Sequence, residues 1–212
     1  MAEGSAALAD DGLRRVLAAG GVSLADLQRT AAQIILFGSR AAGLEHAGSD
    51  WDLLVVGEGR SLVAPGLDLV RVSPHDLAGN GWLTSELAGH VARWGRWLHG
   101  APDWIAGVIG SATAAEHKAS RLSSRIGALE HAWELLPPAY RRKHHALMRR
   151  DLQRHAILVR GEPVPPSPRL DELWEASIDE GGELLRLAQQ AGVCTTFFDQ
   201  TLVRFTANQA SP

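Results

Sequence analysis

Ile34-Ile35-Leu36-Phe37-Gly38-Ser39-Arg40-Ala41 and, after a spacer, Asp50-Trp51-Asp52-Leu53-Leu54-Val55-Val56 are the stretches on which the fold turns. The first is a short apolar run, β-rich and stopped by a glycine, which predicts a buried strand over 34–37. Gly38 then lets the backbone turn sharply and expose consecutive N–H groups. With the Ser39 hydroxyl beside it, such a turn can hold a phosphate. The second stretch predicts a strand over 51–56 ended by Gly57. Asp50 and Asp52 flank Trp51 there, so the two-residue period of a strand puts both carboxylates on one face. Like charges that close repel, unless a divalent cation with a preference for oxygen ligands sits between them.

A third strand is expected over 67–72, ending before Ser73-Pro74. Asp68 interrupts its apolar run, a costly place for an acid without a metal or other partner. Taken singly, each feature has a plainer reading. Gly-Ser is a common turn, Asp-x-Asp can be one turn cap and one solvated acid, and Asp68 can lie on an exposed edge.

Outward from these strands, residues 11–30 have helical spacing interrupted at Gly20-Gly21, and a loop rich in Gly and Ala runs to Ser49. Residues 84–93 predict a helix capped by Thr84, with Leu87 and Val91 on one face. Gly95 breaks it, and 96–99 suit a short closing strand. After about residue 105 the character changes. Residues 112–136 and 138–160 read as helices split by Pro137-Pro138, with Pro138 at a first helical position. The segment 161–168 is an extended connector, 170–191 a helix weakened at Gly181-Gly182, and 196–205 a last helix. The expected fold class is α+β: a small mixed-sheet domain over 10–105, then an α-helical bundle over 106–212.

With 212 residues, 45% apolar and 21% charged, the chain is long enough for a real core and has a globular composition. The net charge of −3 excludes a uniformly basic nucleic-acid-coating surface. Cys194 is the single cysteine, so no intrachain disulfide can form. No apolar stretch approaches a membrane span, and the start Met1-Ala2-Glu3-Gly4 lacks the features of a signal peptide. The cytoplasm is the expected compartment.

Together, Gly38-Ser39, the spacer, Asp50-Trp51-Asp52 and Leu67-Asp68-Leu69-Val70 resemble the signature of the DNA polymerase beta-like nucleotidyltransferase superfamily. The nearest branch is the minimal nucleotidyltransferases, of the kanamycin nucleotidyltransferase and antitoxin kind. Gly43 and Ser49 also fall where that branch often has Gly and Ser. The resemblance covers about residues 10–100. It implies that Gly38, Ser39 and Arg40 bind the nucleotide, and that Asp50, Asp52 and Asp68 are catalytic and bind metal. Two Mg²⁺ ions are implied, with ATP or another nucleoside triphosphate as co-substrate. The reaction would move a nucleoside monophosphate, AMP first, to a hydroxyl of a small-molecule or protein acceptor. The implied partners are therefore the triphosphate and that acceptor, with a second copy of the chain as a further candidate. Neither a membrane nor nucleic acid is expected.

In the helical half, residues 141–160 hold seven Lys/Arg with His144, His145 and His155 against one acid. The strip is either a solvated helix face or a surface for phosphates or an acidic acceptor. Arg150-Asp151, followed after three residues by His155, resembles the arginine–histidine motif of HEPN ribonucleases. A regulatory nucleotidyltransferase fused to an RNA-cutting bundle is thus an alternative, as is an antitoxin-like binding module. The RNA-cutting reading requires Arg150 and His155 to converge in a polar groove. Trp94, Trp97 and Trp104 are expected in the core or at a domain interface.

Overall fold

Helix α1 (Glu3–Ala19) ends at the Gly20-Gly21 turn, and Ser23 caps α2 (Leu24–Thr30) by accepting the Asp26 N–H at 3.3 Å. Strand β1 (Gln33–Phe37) is buried along its whole length and runs straight into a single helical turn, α3 (Gly38–Ala41). Strands β2 (Trp51–Val56), β3 (Leu62–Ala64) and β4 (Leu67–Val72) follow. Two four-residue helices, α4 (Pro74–Leu77) and α5 (Asn80–Leu83), lead to α6 (Glu86–Trp94) and to β5 (Arg96–His99). This computed structural model describes residues 3–110, 112–175, 180–193 and 197. The chain divides into two compact units, Met1–Ile109 and Gly110–Pro212.

The first unit is built on a mixed five-stranded sheet of order β3-β4-β2-β1-β5. β2 and β4 are parallel, and the other neighbouring pairs are antiparallel. The fold class is α+β, as expected of a mixed-sheet domain followed by a helical region. Alternate residues of the central strands go to opposite faces. Ile34, Leu36, Leu53, Val55, Leu67 and Leu69 pack with Leu13 and Leu17 of α1 and Leu27 of α2. Ile35, Phe37, Leu54 and Val56 pack with Leu77, Ala88, Val91 and Trp104. Helices cover both faces, which is why β1 and β2 read as near-continuous apolar runs.

Two local expectations are corrected. The segment 62–64 is a strand that no alternation announced. The cap of α6 is Ser85, whose hydroxyl accepts the Ala88 N–H at 3.0 Å, while the Thr84 hydroxyl donates back to the Asn80 carbonyl at 2.7 Å.

The second unit is helical: α7 (Ala112–Glu130), a 3-10 turn at Trp133–Leu135, α8 (Pro138–Val159), α9 (Ser167–Glu175) and α10 (Glu180–Gln190). Pro138 takes the first helical position of α8. The first long helix ends at Glu130, six residues before the expected end, because the 3-10 turn folds Trp133 into the core. Leu122, Ile126, Met148, Leu152, Trp174 and Leu184 are central to that core. The last expected helix lies outside the described residues except for Phe197, and Cys194 lies outside them entirely. Among the described residues, no helix is long and apolar enough to cross a membrane.

The basic strip on α8 is mostly spent on pairing within this unit. Lys118 and Arg154 each reach Asp151 Oδ1 at 3.2 Å, and Arg125 reaches its Oδ2 at 2.5 Å. Arg149 and Arg150 both bind Asp171, at 2.6 and 2.5 Å. The arginine–histidine pair therefore does not form the groove its reading requires. Arg150 is held in a fork by Asp171, while His155 is only 5% exposed and its Nδ1 has no partner among the described residues. Five residues apart on one helix, the two are also rotated about 140° from each other.

Candidate active site

The candidate residues come from the ends of three elements that meet at one end of the first unit's sheet. β1 and β2 are antiparallel, with Phe37 opposite Asp52, so the end of β1 lies beside the start of β2. The Gly38-Ser39 turn therefore emerges next to Asp52. Gly38 has φ +71°, a conformation that favours glycine, and a Cβ there would fall 2.0 Å from Asp52 Oδ2. The carboxylate thus lies directly against the turn, and no residue with a side chain fits at position 38 without moving it.

Across the parallel pair, Asp52 is in register with Asp68. Partners in a parallel ladder lie on the same face, with strands about 4.8 Å apart, so the two carboxylates are neighbours. Asp50 precedes the strand and is exposed, but it acts electrostatically on both of the others. Burial pushes the Asp52 carboxyl up to about 6, helped by the charges of Asp68 and Asp50 and opposed by Arg40. Burial and Asp50 also push Asp68 above the ordinary carboxylate range.

Neither the Asp52 nor the Asp68 carboxylate has a hydrogen-bond or ion-pair partner among the described residues. Two half-buried, unpaired and mutually repelling carboxylates form a donor set suited to a hard divalent cation. Among the described residues, no group of three or more His, Cys, Asp or Glu converges tightly enough to hold a metal by itself.

The turn offers open donors. The Ser39 amide and hydroxyl have no protein partner among the described residues. Arg40 is largely committed: Nε and Nη2 donate to the Ser49 carbonyl at 3.2 and 2.6 Å, and Nε also to the Asp50 carbonyl at 3.2 Å. Its guanidinium sits 4.5 Å from the centre of the Trp51 ring. Arg40 therefore ties the spacer loop down beside Asp50, leaving Nη1 uncommitted among the described residues.

Sequence reasoning missed His90. The Gly38 N–H donates to His90 Nε2 at 3.3 Å, from a helix 52 positions further along the chain. Nothing in the spacing of the motif points to it.

The mixed sheet thus brings the Gly38-Ser39 turn together with acids from two adjacent strands at one end of the sheet. Residues 23–92 match the nucleotidyltransferase domain family. No curated protein matches the chain significantly. Among solved structures, a chain from "Crystal structure of the toxin-antitoxin with AMP-PNP" is similar at 20% identity and TM-score 0.29, covering 52% of this chain and 95% of that one. A likeness so remote adds nothing to the reading of the site.

Proposed function

We propose that the first unit transfers a nucleoside monophosphate, AMP by preference, from a nucleoside triphosphate to a hydroxyl of a small molecule or protein. The observation that carries this reading is the Asp52 carboxylate, packed against the Gly38-Ser39 turn and in register with Asp68. The Ser39 amide and hydroxyl would bind the phosphates, with Arg40 Nη1 as an added donor. Asp50, Asp52 and Asp68 would hold Mg²⁺, which supplies charge neutralisation and alignment of the attacking and leaving oxygens when bound. The acceptor oxygen bonds to the α-phosphorus, the bond to the bridging oxygen breaks, and pyrophosphate leaves. Asp68, with its raised pKa, would take the acceptor's proton. Positioning and electrostatics do the rest.

Incubating the protein with α-labelled ATP and Mg²⁺, against hydroxylated small compounds and cell lysate, tests the proposal. Label should appear on an acceptor with wild type and disappear with Asp50→Asn. ATP with Mg²⁺ should also raise the melting temperature, by an amount equivalent to about 2.7 kcal/mol at a hundredfold excess over Kd. Equal stabilisation by ATP in excess EDTA would rule out metal bridging at these carboxylates.

A further inference from the structure

His90 lies outside the motif, yet its Nε2 accepts the backbone N–H of Gly38, the first residue of the turn. Its ring packs edge-on against Phe37, with centroids 6.1 Å apart at 80°, and tilted against Trp94 at 5.3 Å. The helix that carries it is seated through Ala88 and Val91, both fully buried against the sheet. The imidazole is therefore held by packing, with Nε2 aimed at the Gly38 N–H. To accept there, Nε2 must be unprotonated, which puts the ring proton of the neutral form on Nδ1.

The Gly38 peptide lies where Gly38 presses on Asp52 and where Ser39 begins. Its orientation sets both the carboxylate below and the donors that follow. His90 satisfies the Gly38 amide, while the Ser39 amide and hydroxyl have no protein partner among the described residues.

We propose that His90 is a positioning residue for the nucleotide: by accepting the Gly38 N–H, it fixes the turn so that the Ser39 donors stay presented to the phosphates. The proposal rests on the nucleotidyl-transfer reading above. His90 need not touch the ligand, so its removal should act on nucleotide binding and not on the chemical step.

The test uses the full chain with His90→Leu, which keeps apolar packing without an acceptor, and His90→Gln, whose side-chain carbonyl restores one. Losing a single neutral hydrogen bond corresponds to about a five- to tenfold effect. His90→Leu should raise the ATP·Mg Kd and KM by about that factor with kcat within about twofold, and His90→Gln should return both close to wild type. Wild-type affinity in His90→Leu overturns the proposal. So does a His90→Gln as impaired as His90→Leu, which would mean that ring packing and not the acceptor matters.

The ring ¹⁵N spectrum of ligand-free wild type gives a reading that needs no variant to fold. An unprotonated Nε2 coupled to the Gly38 amide is expected, and a protonated Nε2 at neutral pH overturns the assignment. Wild type that binds no ATP·Mg overturns the nucleotide reading and this proposal together. Wild type that binds while His90→Leu binds equally well overturns only the role of His90.

Discussion

Asp52 on β2 and Asp68 on β4 are register partners in a parallel ladder, and no basic side chain is paired with either carboxylate among the described residues. Burial, with the charges of Asp68 and Asp50 added and Arg40 opposing, leaves an Asp52 carboxyl that ionises only near pH 6 instead of 3.8. Between those values the native state binds more protons than the unfolded chain, so stability falls as pH rises. The metal-free protein should therefore lose stability from about pH 4 to pH 6 through this group. Linkage sets the loss at about 3 kcal/mol at most, and solvent screening of a half-buried carboxylate reduces it to about 1–2 kcal/mol. Urea unfolding in EDTA across that range, wild type against Asp52→Asn, isolates the effect. Identical pH slopes in the two proteins would contradict the strained carboxylate pair.

Asp50→Asn and Asp52→Asn should both abolish transfer, yet differ in stability. Asp50 is exposed before the strand begins, so its neutralisation should leave metal-free stability within about 0.5 kcal/mol of wild type. Asp52→Asn should stabilise the metal-free protein at pH 7 by the amount that ionisation costs. Turnover within a few-fold of wild type in either variant would contradict the metal-ligand role proposed for it.

How far the sequence carried this reading depends on the range of the forces involved. β1, β2 and β4 were legible because mostly apolar segments of four to six residues end at Gly or Ser-Pro. The edge strand 62–64 was not, since three residues cannot display a period and its pairing is dictated by β4. Thr84 and Ser85 are both good caps, and only tertiary placement decides that Ser85 faces the helix. Gly38, Asp50, Asp52 and Asp68 carry their chemistry in residue type and spacing. His90 does not, because its partner is remote in sequence and its environment is made by Phe37 and Trp94. His155 was misleading for the opposite reason: a motif-like spacing fell on a helix face that turns inward.

Arg40 tethers the spacer loop through the Ser49 and Asp50 carbonyls, and Lys cannot replace it. Lysine keeps the charge but loses the fork that spans the Ser49 and Asp50 carbonyls, and much of the stacking on Trp51. Arg40→Lys should free the 42–50 loop and let Asp50 drift. The expected outcome is a roughly tenfold higher Mg²⁺ concentration for half-maximal activity, with the melting temperature lowered by only a few degrees. An unchanged Mg²⁺ requirement would show that the tether does not govern Asp50.

Asp151 is the electrostatic keystone of the helical unit. Burial alone would raise its pKa, but Lys118, Arg154 and Arg125 outweigh that and hold it below the ordinary value. Its contribution is therefore present above about pH 4 and is lost as pH falls through the depressed folded value. Asp151→Asn keeps the shape and one acceptor oxygen but removes the charge that faces Lys118, whose side chain is only 7% exposed. Removing one partner of a buried ion pair costs about 3–5 kcal/mol, because the other charge stays desolvated. Lys118→Met replaces the buried cation with an apolar chain of similar length and leaves Arg154 and Arg125 on the carboxylate. It should cost at most about 1 kcal/mol. Denaturant unfolding of the two variants at pH 7 decides the matter: comparable losses would mean that the pair acts as a simple hydrogen bond. A larger loss in Asp151→Asn, with a reduced slope of stability against pH below 4, is the signature of a carboxylate that holds α7 and α8 together by charge.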